Sequence, residues 1–463
     1  MSFFSKKTFD SVKESSSESG LNKTLTAFDL ILLGLGGIIG TGVFVFTGLV
    51  AAQHAGPAVM LSYAIAGGVC IFVALAYTEI ASMLPTSGSV YTYTYVAFGQ
   101  MFAWMMGGVL ILEFLLSSAA VAAGWSAYVQ SILEQANIHL PSYLSDVSAY
   151  GGFINLPAIF ITITVGLILY HGTKDSKRFN AALVLIKMAA IVAFMIAAIP
   201  HFDIKNWEPF MPFGFDDVLI GSSILFFAFT GFGALATSAE ECKNPKKDLM
   251  IGIIGSLVLS TIIYVIMGGL ATGIVPYTEL DNASPLANAL TINGSKLGSV
   301  IVSTGGVCGM TTVIMMNVYA LSRVFYVISR DGLLPKFFAK LHPKYDSPHV
   351  TILTFTGIIA LLSGFLPYDI LGKLSSMGAL LDYIVITMIV VVFRVRYPNA
   401  PRSFSCPALY FVAPVAFLAS AYLLSKQVVD KDGLLLTGKL VGFWFAAAFV
   451  LYLARKPWIK TEA

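Results

Sequence analysis

Twelve apolar runs of bilayer length, separated by short polar connections, constrain this chain more than any other feature of its sequence. About 20 consecutive apolar residues cross the hydrocarbon core as a helix. The runs fall near 27–50, 57–83, 100–133, 155–171, 180–200, 217–239, 250–275, 297–322, 350–366, 374–393, 408–425 and 440–454. The expectation is therefore an all-α membrane protein with twelve transmembrane helices. Composition agrees, because 57% of the residues are hydrophobic and 11% charged, whereas roughly a quarter of a soluble domain is charged.

The basic residues set the expected orientation. With residues 1–26 placed in the cytoplasm, that side carries 21 Lys and Arg and the opposite side six, Lys205, Lys296, Lys373, Lys426, Lys431 and Lys439. This bias puts both termini, 1–26 and 455–463, in the cytoplasm of a multi-pass protein expected in the plasma membrane. Residues 1–26 are polar and lack an apolar core followed by a small-residue cleavage site, so the first span is expected to be its own insertion signal. The net charge of +3 reads as a topology signal, and no nucleic-acid partner is expected. The four cysteines and six histidines show no spacing for a disulfide framework or a metal site. No cofactor is expected, and with no nucleophile–base pair visible the chain does not read as an enzyme.

The first span, "LILLGLGGIIGTGVFVFTGLVAA" (30–52), holds no charge and six glycines between Gly34 and Gly48, although glycine costs a helix about 1 kcal/mol each. A dinucleotide fingerprint fails by one residue, because its last glycine would fall on Ile39. The sixth span, "GSSILFFAFTGFGALATSAEE", carries Gly231 and Gly233 at a comparable place five spans later. Glycine-broken spans in corresponding positions of two halves point to an inverted-repeat transporter with its site at mid-membrane. The glycines would let the helix unwind around a ligand; close helix packing is the competing reading. New helix N-termini favour a carboxylate and freed carbonyls an ammonium. A ligand with both on one carbon is an α-amino acid.

Lys187 is the one basic residue left inside a span, and an ammonium there costs roughly 2.5–3.5 kcal/mol on insertion scales. It reads as a proton-coupling group or as a structural strut tied to carbonyls. Glu113, in the third span, would pair with Lys187, contact the substrate or take a proton, and the sequence does not choose. Asp382 reads as a further intramembrane acid or as a helix-end acid near the outer face, and Glu79 as part of an inner gate or a surface pair. Val324–Tyr326–Arg330 and Val395–Tyr397–Arg402 fit a proposed sterol-contact pattern that recurs in basic membrane loops.

Four stretches, "GGIIGTGVFV", "YTEIASMLPTSGSVYTYTYVAFGQ", "FFAFTGFGALATSAEECKNPKKDLMIGI" and "SRVFYVISRDGLLP", occur in the order found in the cationic amino acid transporter family. That family belongs to the amino acid, polyamine and organocation superfamily, and the chain resembles its bacterial twelve-span type over nearly its whole length. The resemblance implies a LeuT-like 5+5 inverted repeat (27–200 and 217–394) plus two C-terminal helices (408–454). It implies that Gly40, Thr41 and Gly42, with Ile38 beside them, cradle the substrate carboxylate. Carbonyls of Phe227, Ala228 and Thr230 would receive the ammonium, with Phe229 and Gly231 alongside. Glu113 maps onto the family's third-span acid, Met316 and Asn317 onto the distal pocket, and Lys187 onto a lysine standing where sodium-coupled relatives hold a cation. The expected function is a proton-coupled, sodium-independent symporter of α-amino acids working by alternating access, or an exchanger or facilitator without proton coupling. Its partners would be the amino acid, protons and membrane lipids, with accessory subunits left open.

Overall fold

A computed structural model describes residues 6–9, 11–12, 23–282, 284–430, 433–434 and 436–454. The stretch 455–463, expected as the C-terminal tail, lies outside them, as do most of residues 1–22. Regular structure among the described residues is helical apart from a two-residue antiparallel pairing, Val429–Asp430 with Gly433–Leu434, and isolated bridges. Nine helical stretches among them are long and apolar enough to cross a membrane, and Leu156–Tyr170 and His349–Phe365 are shorter apolar helices.

The chain begins with α1 (Ala27–Ile38), started by a capping box. The Thr26 amide donates to Asp29 Oδ2 at 2.9 Å, and the Asp29 amide donates to Thr26 Oγ1; such a cap contributes about 1 kcal/mol. The helix stops at Ile39, whose backbone is extended, and resumes as a π-helical turn, Gly42–Phe46. The chain reverses at Gly56, which has φ +61 and no room for a Cβ against Pro212, and returns as α2 (Val59–Met83). Then come α3 (Ser89–Phe98), α4 (Gln100–Leu110), a further π turn (Ile111–Leu115), α5 (Leu116–Gln135), α6 (Leu156–Tyr170) and α7 (Thr173–Ala198).

The sequence from α8 (Phe215–Leu225) onward tightens into a 3₁₀ turn, Phe226–Phe229, before α9 (Gly231–Leu235) and a second 3₁₀ stretch, Ala236–Glu241. So the two glycine-marked spans differ. The first is broken, whereas the sixth stays helical and changes its winding, because each 3₁₀ turn still pairs its amides within the segment. The remaining elements are α10 (Pro245–Ile274), α11 (Pro285–Ile292), α12 (Lys296–Arg330), α13 (His349–Phe365), α14 (Tyr368–Arg396), α15 (Leu409–Val428) and α16 (Leu436–Ala454).

Small residues set how these helices run past one another. Leu30 meets Gly252, Gly34 meets Ser256 and the Ile38 carbonyl meets Tyr264, so α1 runs parallel to α10. Gly67 meets Thr261 and Val59 meets Gly268, so α2 runs antiparallel to it. The stretch Ala27–Met83 is thus two antiparallel helical arms, both packed on α10. At the periphery, α16 is mostly exposed and is tied to α4 by two indoles: Trp104 Nε1 donates to the Ala448 carbonyl at 2.9 Å and Trp444 Nε1 to the Gly108 carbonyl at 3.1 Å. They flank a cavity of about 120 Å³ lined also by Gly107, Phe325 and Ile328. The first sterol-pattern residues face elsewhere, since Val324 and Tyr326 are buried in the protein. Tyr397 of the second pattern packs on Phe9 and Phe393.

Candidate functional site

The break in α1 and the 3₁₀ turn after α8 lie against each other at the centre of the bundle. Leu25 forms a bridge with Cys242, Gly37 meets Gly231, Gly42 meets Ala228, and the Phe46 and Phe227 rings stand 5.0 Å apart. As one number rises the other falls, so the two segments cross in opposite directions. The crossing requires glycine: a Cβ on Gly42 would lie 2.3 Å from the Ala228 Cβ, and one on Gly231 would lie 2.3 Å from the Gly37 carbonyl.

Ile38, Gly40, Thr41, Gly42, Phe227, Ala228, Phe229, Thr230 and Gly231 are brought together there, all buried. Met316 of α12 touches Gly37 at the edge of the cluster. The helix that restarts after Gly40 begins at the crossing, with the Val43 and Phe44 amides both on the Gly40 carbonyl, and Thr41 Oγ1 is buried there with no hydrogen-bond partner among the described residues. The opposing carbonyls are occupied by protein donors. Tyr264 Oη reaches the Ile38 carbonyl at 2.7 Å and the Ala228 carbonyl at 3.1 Å, bridging the two segments. Thr230 donates to the Phe227 carbonyl through both its amide and its hydroxyl. Tyr63 Oη donates to the Gly42 carbonyl at 2.8 Å. Sequence reasoning missed Tyr264 and Tyr63, because single tyrosines in apolar spans look like core aromatics.

Lys187 is fully buried behind the break. Its ammonium donates to the carbonyls of Leu35 (2.7 Å), Gly36 (3.2 Å) and Ile39 (2.8 Å) and to Thr312 Oγ1 (3.0 Å). The Leu35 carbonyl also takes the Ile39 amide at 3.0 Å, the last backbone bond of α1, whereas the helix end at Ile38 leaves the Gly36 carbonyl to side-chain donors, Lys187 and Thr312. Glycines make the approach: Gly305 of α12 sits against Ala190, and Gly309 lies 3.4 Å from the Lys187 side chain measured from its absent Cβ. Glu113 makes no pair with Lys187; it lies on the far side of α9, facing Gly233 and Asp382. Asp382 is fully buried within α14, not at a helix end. Asn317 donates to Ser117 Oγ one turn beyond Glu113.

One end of the bundle, where α1 begins, is closed by buried ion pairs. Arg323 Nε donates to Glu241 Oε1 at 3.0 Å, and Tyr319 Oη donates to the same oxygen at 2.6 Å. Glu240 takes the Ser87 amide at 2.9 Å and faces Arg330. Glu79 is a hub that accepts from Arg394, Arg402 and the Cys406 amide. In the connection after α14, burial and the nearby Glu79 carboxylate push the Cys406 thiol up to about 11. The described residues include no group of three or more side chains able to hold a metal.

Residues 25–452 match the model of the family described as amino acid permease. The chain belongs to the amino acid permease family. This permease is 41% identical over 429 residues to the branched-chain amino acid permease BcaP of Bacillus subtilis (strain 168), covering 91% of this chain and 92% of that one. It is also 41% identical over 409 residues to a methylthioribose transporter of the same organism, covering 88% of each. Similarity extends to cationic amino acid transporter 4 of Mus musculus, 35% identical over 88% of this chain and 64% of that one. These relatives are membrane transporters and not enzymes, and so is this permease.

Proposed function

We propose that this permease is a sodium-independent, proton-coupled secondary transporter of α-amino acids that works by alternating access. The observation that carries the reading is the crossing of the broken first span with the rewound sixth. Restarting amides at Gly40–Gly42 offer an anion site, and carbonyls at Phe227, Ala228 and Thr230 on the segment packed against it offer a cation site, the two kinds of group that a carboxylate and an ammonium on one carbon need. In this closed arrangement the carbonyls are held by Tyr264 and Thr230; opening frees them for the substrate. The relatives named as amino acid permeases and transporters support the substrate class.

Sodium independence follows from the Lys187 cage, in which a tethered ammonium takes the oxygen ligands that an alkali ion would need. Lys187 is our candidate coupling group, gaining or losing its proton as the cage opens. The four hydrogen bonds to its ammonium also favour a second reading, a fixed strut in an exchanger that moves amino acids without protons. We further assign twelve crossings: the nine long stretches, with Ala27–Met83 counted twice for its two antiparallel arms, and the two shorter apolar helices. Helices α1 to α7 and α8 to α14 would form the LeuT-like repeats, with α15 and α16 appended, and the end bearing Glu241 and Arg323 would face the cytoplasm of a plasma-membrane protein.

Uptake of radiolabelled alanine and arginine into proteoliposomes, at fixed sodium and with or without an inward proton gradient, tests this for the native protein and Lys187→Ala. Gradient-stimulated uptake in the native protein alone supports coupling through Lys187. Exchange in both without a response to the gradient selects the strut. No transport of any amino acid by the native protein would remove the substrate assignment.

A further inference from the structure

Beyond Lys187 the bundle holds a second ionisable centre. Glu113 lies in the π turn between α4 and α5, fully buried, and neither of its carboxylate oxygens has a hydrogen-bond partner among the described residues. Asp382 of α14 is buried in the same way, again with both oxygens unpartnered. Glycines bring the two together. A Cβ on Gly233 would lie 3.6 Å from Glu113 Oε1 and 3.8 Å from Asp382 Oδ2, so both carboxyl groups face one bare patch of α9. Gly378, one turn before Asp382, lets α14 close to 2.7 Å from the Glu113 amide, measured from its absent Cβ, and Ser375 Oγ donates to the Glu113 carbonyl at 2.8 Å.

The other titratable groups around this pair are Tyr77 and Cys70 from α2, Tyr93 from α3 and Tyr383 from α14. The Tyr93 and Tyr383 hydroxyls are themselves fully buried and unpartnered, the condition of polar groups that serve a ligand not fixed by the fold. No basic side chain acts on either acid, and Lys187 is committed to the α1 cage. Two carboxylates that share a site without a counter-charge do not both ionise. An acid inside a membrane segment marks an ion pathway by default.

We propose that Glu113 and Asp382 form a proton-binding pair, separate from Lys187, that carries a proton with the substrate. The inference rests on the transport reading above. The step is a simple protonation: an O–H bond forms on one carboxylate oxygen as a hydrated proton gives it up, and the same bond breaks to water after the site opens on the other side. No atom is oxidised or reduced. Tyr383 and Tyr93 stand ready to hydrogen-bond the ionised form, and Tyr77 Oη, 3.4 Å from the Gly233 carbonyl and 2.5 Å from Ser89 Oγ, continues the polar line toward α3.

The test is a pair of measurements on full-length protein in liposomes carrying an internal pH-sensitive dye: alanine-driven proton influx, and exchange of labelled alanine at equal pH. Asp382→Asn keeps the shape and removes the ionisable group. The expected result is retained exchange with the proton-to-alanine ratio lowered at least twofold and a flattened pH profile of uptake; Glu113→Gln should lower the ratio in the same way. An unchanged ratio and pH profile in Asp382→Asn overturns the proposal. So does loss of exchange in a variant that remains monodisperse, which assigns the pair a structural role, and so does a native protein that exchanges alanine with no proton influx. A native protein that moves no amino acid instead refutes the transport reading, which separates the two failures.

Discussion

Gly231 lies against the backbone of Gly37 so closely that a Cβ on it would sit 2.3 Å from both the carbonyl carbon and the carbonyl oxygen, and 2.8 Å from the Ile38 amide nitrogen. Rigid backbone cannot swing aside as a flexible side chain does. The broken first span and the rewound sixth can meet here only because Gly231 has no side chain.

Gly231→Ala should therefore destabilise the protein by overpacking, by about 1–3 kcal/mol. Gly68→Ala is the control, since a Cβ there meets nothing within 4 Å. Melting temperatures in detergent check this; equal values for the two variants would show that the crossing has slack.

Gly42→Val should abolish amino acid binding and lower stability as well, because even its Cβ would lie 2.3 Å from the Ala228 Cβ and 2.5 Å from its Cα, forcing the two segments apart. Retained binding, measured by scintillation proximity with labelled substrate, would sink the assignment of the restarting helix as the carboxylate cradle.

Lys187→Ala leaves the carbonyls of Leu35, Gly36 and Ile39 and the Thr312 hydroxyl converging without their cation. Those oxygens suit a hard monovalent ion, and a ligand that binds only the folded state raises its melting temperature. Replacing choline chloride by sodium chloride should raise the melting temperature of the variant by several degrees and leave the native protein unmoved. A variant indifferent to sodium would mean that the cage collapses once the ammonium is gone.

Arg323 and Glu241 are both almost fully buried, so removing one strands the other. Arg323→Met should cost about 3–5 kcal/mol, and the double variant Arg323→Met with Glu241→Gln should recover much of it. A double variant as unstable as the single one would show that packing of Arg323 over the Tyr319 ring, 3.9 Å from its centroid, matters more than the charges.

Cys406 should react slowly with maleimide at pH 8, because alkylation needs the thiolate and the thiol is held up near 11 by burial and by Glu79. The rate should climb with pH through that value. Glu79→Gln removes the negative charge and loosens Arg394 and Arg402, so labelling at pH 8 should rise several-fold, read by mass spectrometry of the Cys406 peptide. No increase would show that access, rather than charge, limits the thiol.

Membrane character, the break in the first span and the burial of Lys187 were legible because each is written in local composition: apolar runs, clustered glycines and a lone ammonium. The changed winding at Phe226–Phe229 was less legible. Gly231 and Gly233 announce an irregularity, but they serve close approach, Gly231 to Gly37 and Gly233 to Glu113 and Asp382, and contacts across more than 100 residues leave no spacing to read. Asp382 shows why the rest was hidden. Its six neighbours in "ALLDYIV" suit a buried turn or a helix end equally well, and only the placement of α4, α9 and α14 decides. Tyr264 is similar, since its role comes from bridging two carbonyls that are free only after both segments have deformed.

The reciprocal indole bonds between α4 and α16 make that outer helix visible by light. Trp104 and Trp444 are two of the five tryptophans in the chain, and they face each other across one apolar cleft with each ring nitrogen on the opposite helix. Any lipid or protein neighbour that prises α16 away wets both rings together, so intrinsic emission doubles as a built-in gauge of whether this flank is docked or detached.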